Sequence, residues 1–209
     1  GLIYGDQVWG DIRAIDYTLP GLIVMAILVT GIMATATGFI EDREKGIFRR
    51  FFVTPLKRQT LIAGSIVQRY IVILVQTIIL ILLGLVAFDI SISGNFFAFW
   101  LILTIAALCF LSIGFALTTA VKSARAATPV CMIVFFMLLF LGGIFFPLEI
   151  MPEFLQNICR ALPSTNINDA MRAIMIEGAG LGAVWKELLI ALGWTAACLI
   201  ISVKFFKWE

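Results

Sequence analysis

Residues 96–121 read FFAFWLILTIAALCFLSIGFALTTAV, an unbroken run without one Asp, Glu, Lys or Arg. About 20 mostly apolar residues suffice for a helix to cross a bilayer. Four more runs of this kind occur, at Leu19–Ile40, Tyr70–Phe88, Ala126–Phe146 and Leu188–Phe206. Each is uncharged through its middle. The last carries Lys204 two residues from its end, where a long side chain can snorkel to the headgroups. Composition agrees: of 209 residues, 62% are hydrophobic and 13% charged, and mean hydropathy is +1.08. Soluble domains carry about 45–50% apolar and about 25% charged residues. Disorder needs low hydrophobicity and high charge, so it is excluded more firmly still. The expectation is an all-α integral membrane protein, with five transmembrane helices forming a single transmembrane domain over residues 1–209.

Orientation follows from Lys and Arg in the short connections. With residues 1–18 outside, the inner side holds Arg43, Lys45, Arg49, Arg50, Lys57, Arg58, Arg69, Lys122, Arg125, Lys204 and Lys207, eleven of the fifteen. Arg13, Arg160, Arg172 and Lys186 stay outside. The expected topology is therefore N-terminus out and C-terminus in. An odd number of spans from an outside start at Gly1 predicts a preceding first helix, six in the full chain, and a true N-terminus in the cytoplasm.

The inner connection, Glu41–Thr60, reads EDREKGIFRRFFVTPLKRQT. On a helix, Ile47, Phe48, Phe51 and Phe52 fall within an arc of about 140°, while Arg49 and Arg50 point away. Thr54-Pro55 then has the form of an N-cap followed by proline at the first helical position. From Pro55 to Phe88 a continuous helix would run about 51 Å, more than a hydrocarbon core of about 30 Å, so its start is expected to project into the cytoplasm. The amphipathic segment fits two readings. One is a basic helix resting on anionic headgroups. The other is a docking helix that plugs its aromatic face into a cytoplasmic partner, which Glu41, Asp42 and Glu44 favour because anionic lipid would repel them.

The outer connection, Gly142–Glu187, is built differently. Gly142-Gly143 and Pro147 end the fourth span, and Pro152 can open a short helix that Pro163 closes. Asn166 can cap a second helix with Asp169 in its first turn. Its apolar residues Ile167, Ala170, Met171, Ile174 and Met175 recur at helical spacing before Gly178. Two short helices between spans read as a re-entrant or interfacial hairpin in the outer leaflet. The hairpin either merely caps the bundle or forms an outer gate through which cargo leaves.

Several chemistries are excluded. Net charge is +2, which argues for no nucleic-acid partner. No Gly-Lys dipeptide exists, so the phosphate-cradling G-x-x-x-x-G-K-[ST] loop is absent. With no histidine, neither a Ser-His-Asp triad nor an H-E-x-x-H zinc site is possible. Cys109, Cys131 and Cys198 lie in apolar runs and Cys159 in a polar one, which leaves no disulfide pair or metal-ligand spacing. Polar side chains within the spans are neutral, such as Gln76, Thr77, Thr104 and Ser112, and are expected to bond between helices. A pathway without ionisable groups suits apolar or amphipathic cargo driven from elsewhere.

The two connections carry a resemblance. Arg43-Glu44-Lys45-Gly46 and Thr54-Pro55 resemble the cytoplasmic loop of ABC-2 type permeases, the membrane subunits of a class of ATP-binding-cassette exporters. That loop reads roughly R-E-x-G-T-x-x-x-L-x-x-T-P; here Ile47 replaces the usual Thr and Phe51 the usual Leu. Gly142-Gly143-Ile144-Phe145-Phe146-Pro147, through Met151-Pro152 and Leu162-Pro163, is similar to the family's stretch after its fifth span. The likeness covers essentially the whole chain in span order, without the family's first helix.

The resemblance implies a six-span permease in a cell membrane, of the prokaryotic cytoplasmic kind, paired with a second copy or close homologue. It implies a separate ATPase subunit that binds the ATP and Mg, with no catalytic residue, cofactor or metal on this chain. The coupling residues it implies are Arg43, Glu44, Gly46, Ile47, Phe48, Phe51, Phe52, Thr54 and Pro55. The outer gate would comprise Gly142, Gly143, Pro147, Pro152 and Pro163. Drugs, lipids or similar hydrophobic cargo would move outward. The competing reading is a non-transporting scaffold that recruits a cytoplasmic partner through residues 41–60.

Overall fold

Asn95 shows how the first-quoted run becomes a helix. Its extended backbone places Oδ1 where it accepts from the Phe97 N–H at 2.9 Å, and Phe96–Ala120 follows without interruption. The computed structural model describes residues 8–9, 12–46, 58–88, 95–121, 123–144 and 151–205. Among these, helices dominate, preceded by a two-residue antiparallel ladder of β1 (Val8–Trp9) on β2 (Ile12–Arg13).

Ala14–Leu28 (α1), a π-helical segment Val29–Ala34 and Thr35–Glu44 (α2) make one continuous rod. Arg58–Phe88 (α3) is an unbroken helix of 31 residues, about 46 Å long. Phe96–Ala120 is α4. Ala124–Leu141 (α5) is capped by Ser123, whose Oγ accepts from the Ala126 N–H. Two short helices follow, Glu153–Ala161 (α6) and Pro163–Met175 (α7), and Trp185–Phe205 (α8) completes the set.

Among the described residues, four helices are long and apolar enough to cross a membrane: Thr18–Glu44, Gly64–Val86, Phe96–Ala120 and Trp185–Ser202. The fifth expected span is shorter than its apolar run. It ends at Leu141 because Gly143 turns the chain with a φ of 63°.

Helix α4 lies at the centre, packed along α8 and against the π-helical segment, α2 and α7. Its contact with the π-helical segment is backbone to backbone. A Cβ added to Gly114 would collide with the Gly31 carbonyl oxygen and sit 3.0 Å from Thr35 Cβ. One added to Gly31 would lie 2.6 Å from Phe110 Cβ. Small residues permit close helix approach in a bilayer, where dispersion rather than water expulsion holds helices together. Phe110, Ile27, Leu28, Ile32 and Leu103 close the core around this crossing. Helix α3, by contrast, exposes Val67, Ile71, Val75, Ile79, Leu83 and Val86. In a membrane that face is stable against acyl chains.

The two ends of the bundle are identified by contacts. Gly21, near the start of the rod, sits against Ile144 just beyond α5, while Arg43, near its end, bonds to Val121 at the α4–α5 connection. Helix α5 thus runs between the same two ends as the rod, whose Gly21–Arg43 stretch rises about 33 Å.

Candidate functional site

At the Arg43 end, the motif residues finish a helix. The Lys45 N–H bonds to the Glu41 carbonyl and the Gly46 N–H to that of Arg43. Gly46 then takes a φ of 66° with open space where a Cβ would be, so conformation and not crowding selects glycine there. Arg43 turns back into the protein: Nη2 donates to the Val121 carbonyl at 2.8 Å and Nη1 to that of Thr118 at 3.4 Å. These are carbonyls at the C-terminal end of α4, where no intrahelical donor remains and the helix dipole favours a cation. Glu44 is exposed. Ile47, Phe48, Phe51, Phe52, Thr54 and Pro55 lie outside the described residues.

A second arginine, read from the sequence only as a charge at a helix entrance, has a structural partner. Arg69 on α3 donates from Nη1 to the Ala34 carbonyl at 2.6 Å, where the π-helical segment gives way to α2. Its Nη2 lies 2.8 Å from where a Cβ on Gly38 would be, and Asp42 interacts electrostatically with the same guanidinium. A π-to-α transition disturbs the regular carbonyl ladder, and Arg69 supplies the donor. Nothing in the local sequence signals this pairing, because Ala34 and Arg69 are 35 positions apart.

At the opposite end, α7 sends polar side chains into the terminus of α5. Thr165 Oγ1 donates to the Leu141 carbonyl at 3.1 Å, Asn168 Nδ2 to that of Gly143 at 3.1 Å, and Arg172 Nη2 to that of Ile144 at 3.2 Å. Gly142 has no room for a side chain, since a Cβ would lie 2.8 Å from Ser164 Oγ. Pro152 immediately precedes α6, and Pro163 is the first residue of α7. Pro147 lies outside the described residues. Gly142, Gly143 and Pro163 therefore gather at one junction; Pro152 belongs to the start of α6.

One expectation is corrected here. Asn166 does not cap the second helix, because Pro163 already opens it with its fixed φ after the extended Leu162. Asn166 sits in the first turn, and its Nδ2 donates back to the Arg160 and Leu162 carbonyls at 2.9 and 2.7 Å. That ties α6 to α7. Trp194 on α8 adds a bond from Nε1 to the Ala161 carbonyl at 2.9 Å. Cys159, on the inner face of α6, is fully buried, and burial raises its thiol above the usual pKa.

Between the two ends, polar residues behave in three ways. Gln76 joins α3 to the rod, accepting from Thr30 Oγ1 at 3.1 Å and donating to the Ala26 carbonyl at 3.0 Å. Thr104 on α4 meets the Tyr70 hydroxyl of α3 at 2.8 Å. Ser112 donates within its own helix to the Cys109 carbonyl at 2.7 Å and also meets the Cys198 side chain of α8, while Thr77 is buried with no hydrogen-bond partner among the described residues.

The sequence profile of a family described as ABC-2 family transporter protein matches residues 11–204. ABC transporter G family member 20 of Dictyostelium discoideum is 26% identical over 96% of this chain and 27% of its own length. The probable multidrug ABC transporter permease YbhR of Escherichia coli (strain K12) is 26% identical over 91% of this chain and 52% of its own. The daunorubicin resistance ABC transporter permease protein DrrB1 of Streptomyces coeruleorubidus is 30% identical, over 92% and 69% respectively. The chain spans about a quarter of the first of these relatives and about half of the second.

Proposed function

The chain belongs to the ABC-2 transporter family, and on that premise we propose that it is the membrane permease of an ATP-driven exporter. It resides in a cell membrane of the prokaryotic cytoplasmic type. It carries drugs, lipids or similar apolar and amphipathic molecules outward. ATP and Mg are bound and hydrolysed on a separate ATPase subunit, and two permease copies or homologues pair.

In this reading five helices cross the bilayer, α5 among them, and residues 41–55 form the coupling element. Support for α5 as a crossing comes from its termini, which reach the same two bundle ends as the rod. Support for the hairpin as re-entrant comes from α7, whose Ile167, Asn168, Ala170, Met171 and Ile174 are buried within the helices rather than resting on them. Gly142, Gly143 and Pro163 then form the outer gate, because α7 grips the end of α5 there.

The observation that carries the proposal is the seating of Arg43. It anchors the end of α2 to the α4–α5 connection, so a force delivered at residues 47–55 has a rigid point of entry into three helices. A scaffold reading needs a recruiting surface but no such link. Co-purification of the full-length protein with an ATPase carrying Walker motifs, followed by ATP-dependent efflux from vesicles, tests it. Recruitment without any transport or ATPase stimulation would favour the scaffold.

A further inference from the structure

Two helices flank the connection at residues 45–57, and they are held very differently. The rod is largely buried and is tied to the α4–α5 connection by Arg43. Helix α3 exposes most of its surface, and among its described side chains only Ile73 and Thr77 are fully buried.

What fastens α3 is a short set of side-chain hydrogen bonds. Arg69 Nη1 donates to the Ala34 carbonyl at 2.6 Å, and Gly38 and Asp42 receive the same guanidinium. Gln76 Nε2 donates to the Ala26 carbonyl at 3.0 Å, and its Oε1 accepts from Thr30 at 3.1 Å. These three bonds straddle the π-helical segment of the rod. The fourth joins Tyr70 to Thr104 of α4 at 2.8 Å. Among the described residues, no hydrogen bond joins the stretch from Thr77 to Val86 to another helix.

Packing does little to choose between docked and free α3, because acyl chains are as apolar as the side chains they replace. An interhelical bond in a bilayer is worth about threefold in an equilibrium. Four such bonds hold α3 by a factor on the order of a hundred, which leaves an undocked minority on the order of one per cent.

Undocking strands no charge. From Arg69 to Phe88 the helix rises about 28 Å. With the Phe88 end at one boundary of a hydrocarbon core of about 30 Å, Arg69 lies at the other, where a free guanidinium reaches the headgroups. Gln76 sits about 10 Å deeper. Its freed amide finds no partner among acyl chains, and an amphipathic molecule entering the gap supplies one.

We propose that α3 is a gate helix, which opens the bundle sideways to the membrane when Arg69 and Gln76 release the π-helical segment. Its use as a cargo entrance, with Gln76 as the polar contact, rests on the permease reading; the movement itself does not. On that reading the connection pulls on an anchored rod and a lightly held α3, and α3 is the helix that yields.

Nitroxides on Leu83→Cys of α3 and Ile133→Cys of α5, both exposed positions, report the movement in the full-length protein in nanodiscs. The four native cysteines are buried. Double electron–electron resonance should show one dominant distance. Arg69→Met with Gln76→Leu removes three of the four bonds and should raise a second distance to about a quarter of the population. Gln76→Leu alone removes two and should raise it to about a tenth. One unchanged distance in these variants would overturn the gate, and should the double variant misfold, the single one decides. The cargo role is read separately. Thr30→Cys and Gln76→Cys joined by a short bifunctional methanethiosulfonate should stop ATP-driven efflux until the link is reduced, and efflux unchanged by the link would overturn that role. No efflux before cross-linking would instead overturn the permease reading, while the distances still decide the gate.

Discussion

The Arg43 guanidinium donates to the Val121 carbonyl across 78 positions of sequence, at 2.8 Å. One side chain thereby closes the C-terminal end of α4 and holds the end of α2 beside it. Charge-assisted bonds of this kind contribute about 1.5–3 kcal/mol each when well made, and partial exposure reduces that. Arg43→Ala is expected to destabilise the protein by about 1–2 kcal/mol, read as a lowered thermal midpoint in detergent. Arg43→Lys should recover part of the loss, since a single ammonium supplies charge without the planar fork. An unchanged midpoint for the alanine variant would remove the capping role.

Sidedness has its own test. The eleven-to-four distribution of Lys and Arg predicts Lys45 inside and the stretch before α8 outside. Lys45 is exposed, Gly180 has open space around it, and all four native cysteines are buried. Lys45→Cys and Gly180→Cys should therefore react with an impermeant maleimide from opposite faces of sealed vesicles. Reaction of both from one face would defeat the topology.

Four of the five expected spans were legible because an uncharged run long enough to cross a bilayer admits few other readings. Helix ends were less so. The run at 126–146 continues through Phe145-Phe146, yet the helix stops at Leu141, because a glycine pair outweighs hydropathy locally. Asn166 looked like a cap because it precedes an apolar stripe, but Pro163 opens the helix first. The contacts that hold the candidate site together were not legible. Arg43 with Val121, Arg69 with Ala34, and Gly31 with Gly114 each join residues far apart in sequence. Periodicity reports a helix's own faces and says nothing of which face meets which. Gly46 is the instructive case: it belongs to a motif, and its left-handed φ gives a physical reason for being there.

The glycine crossing yields a sharper stability prediction. Gly114→Ala drives a methyl into the Gly31 carbonyl, a backbone group that cannot swing aside, with the short β-branched Thr35 side chain packed beside it. Overpacking of this sort costs about 1–3 kcal/mol or more. Gly193→Ala on α8 meets nothing within 4 Å and should be neutral or stabilising by up to about 1 kcal/mol, the helix preference for alanine. Thermal midpoints of the two variants, measured side by side, check this. Equal midpoints would mean that the rod and α4 do not touch at these glycines.

Coupling is tested at residues 47–52, which lie outside the described residues and whose helical pattern comes from the sequence. If Ile47, Phe48, Phe51 and Phe52 are the buried face of a docking helix, Phe51→Ala with Phe52→Ala removes two aromatic anchors. Truncating an interface hot spot costs about 2 kcal/mol or more, so the ATPase should dissociate or remain bound without transport. Arg43 and Val121 hold the helix end independently, so the permease itself should keep its thermal midpoint. Arg49→Ala with Arg50→Ala should weaken docking less, because on a helix of this sequence those positions would fall away from the aromatic arc. A helix that only rests on anionic lipid predicts the reverse: the arginine pair would matter at least as much, and neither pair would change ATPase capture. Pull-down and vesicle efflux on both double variants separate the two. A fully active complex after loss of the aromatic pair would end the docking-helix assignment.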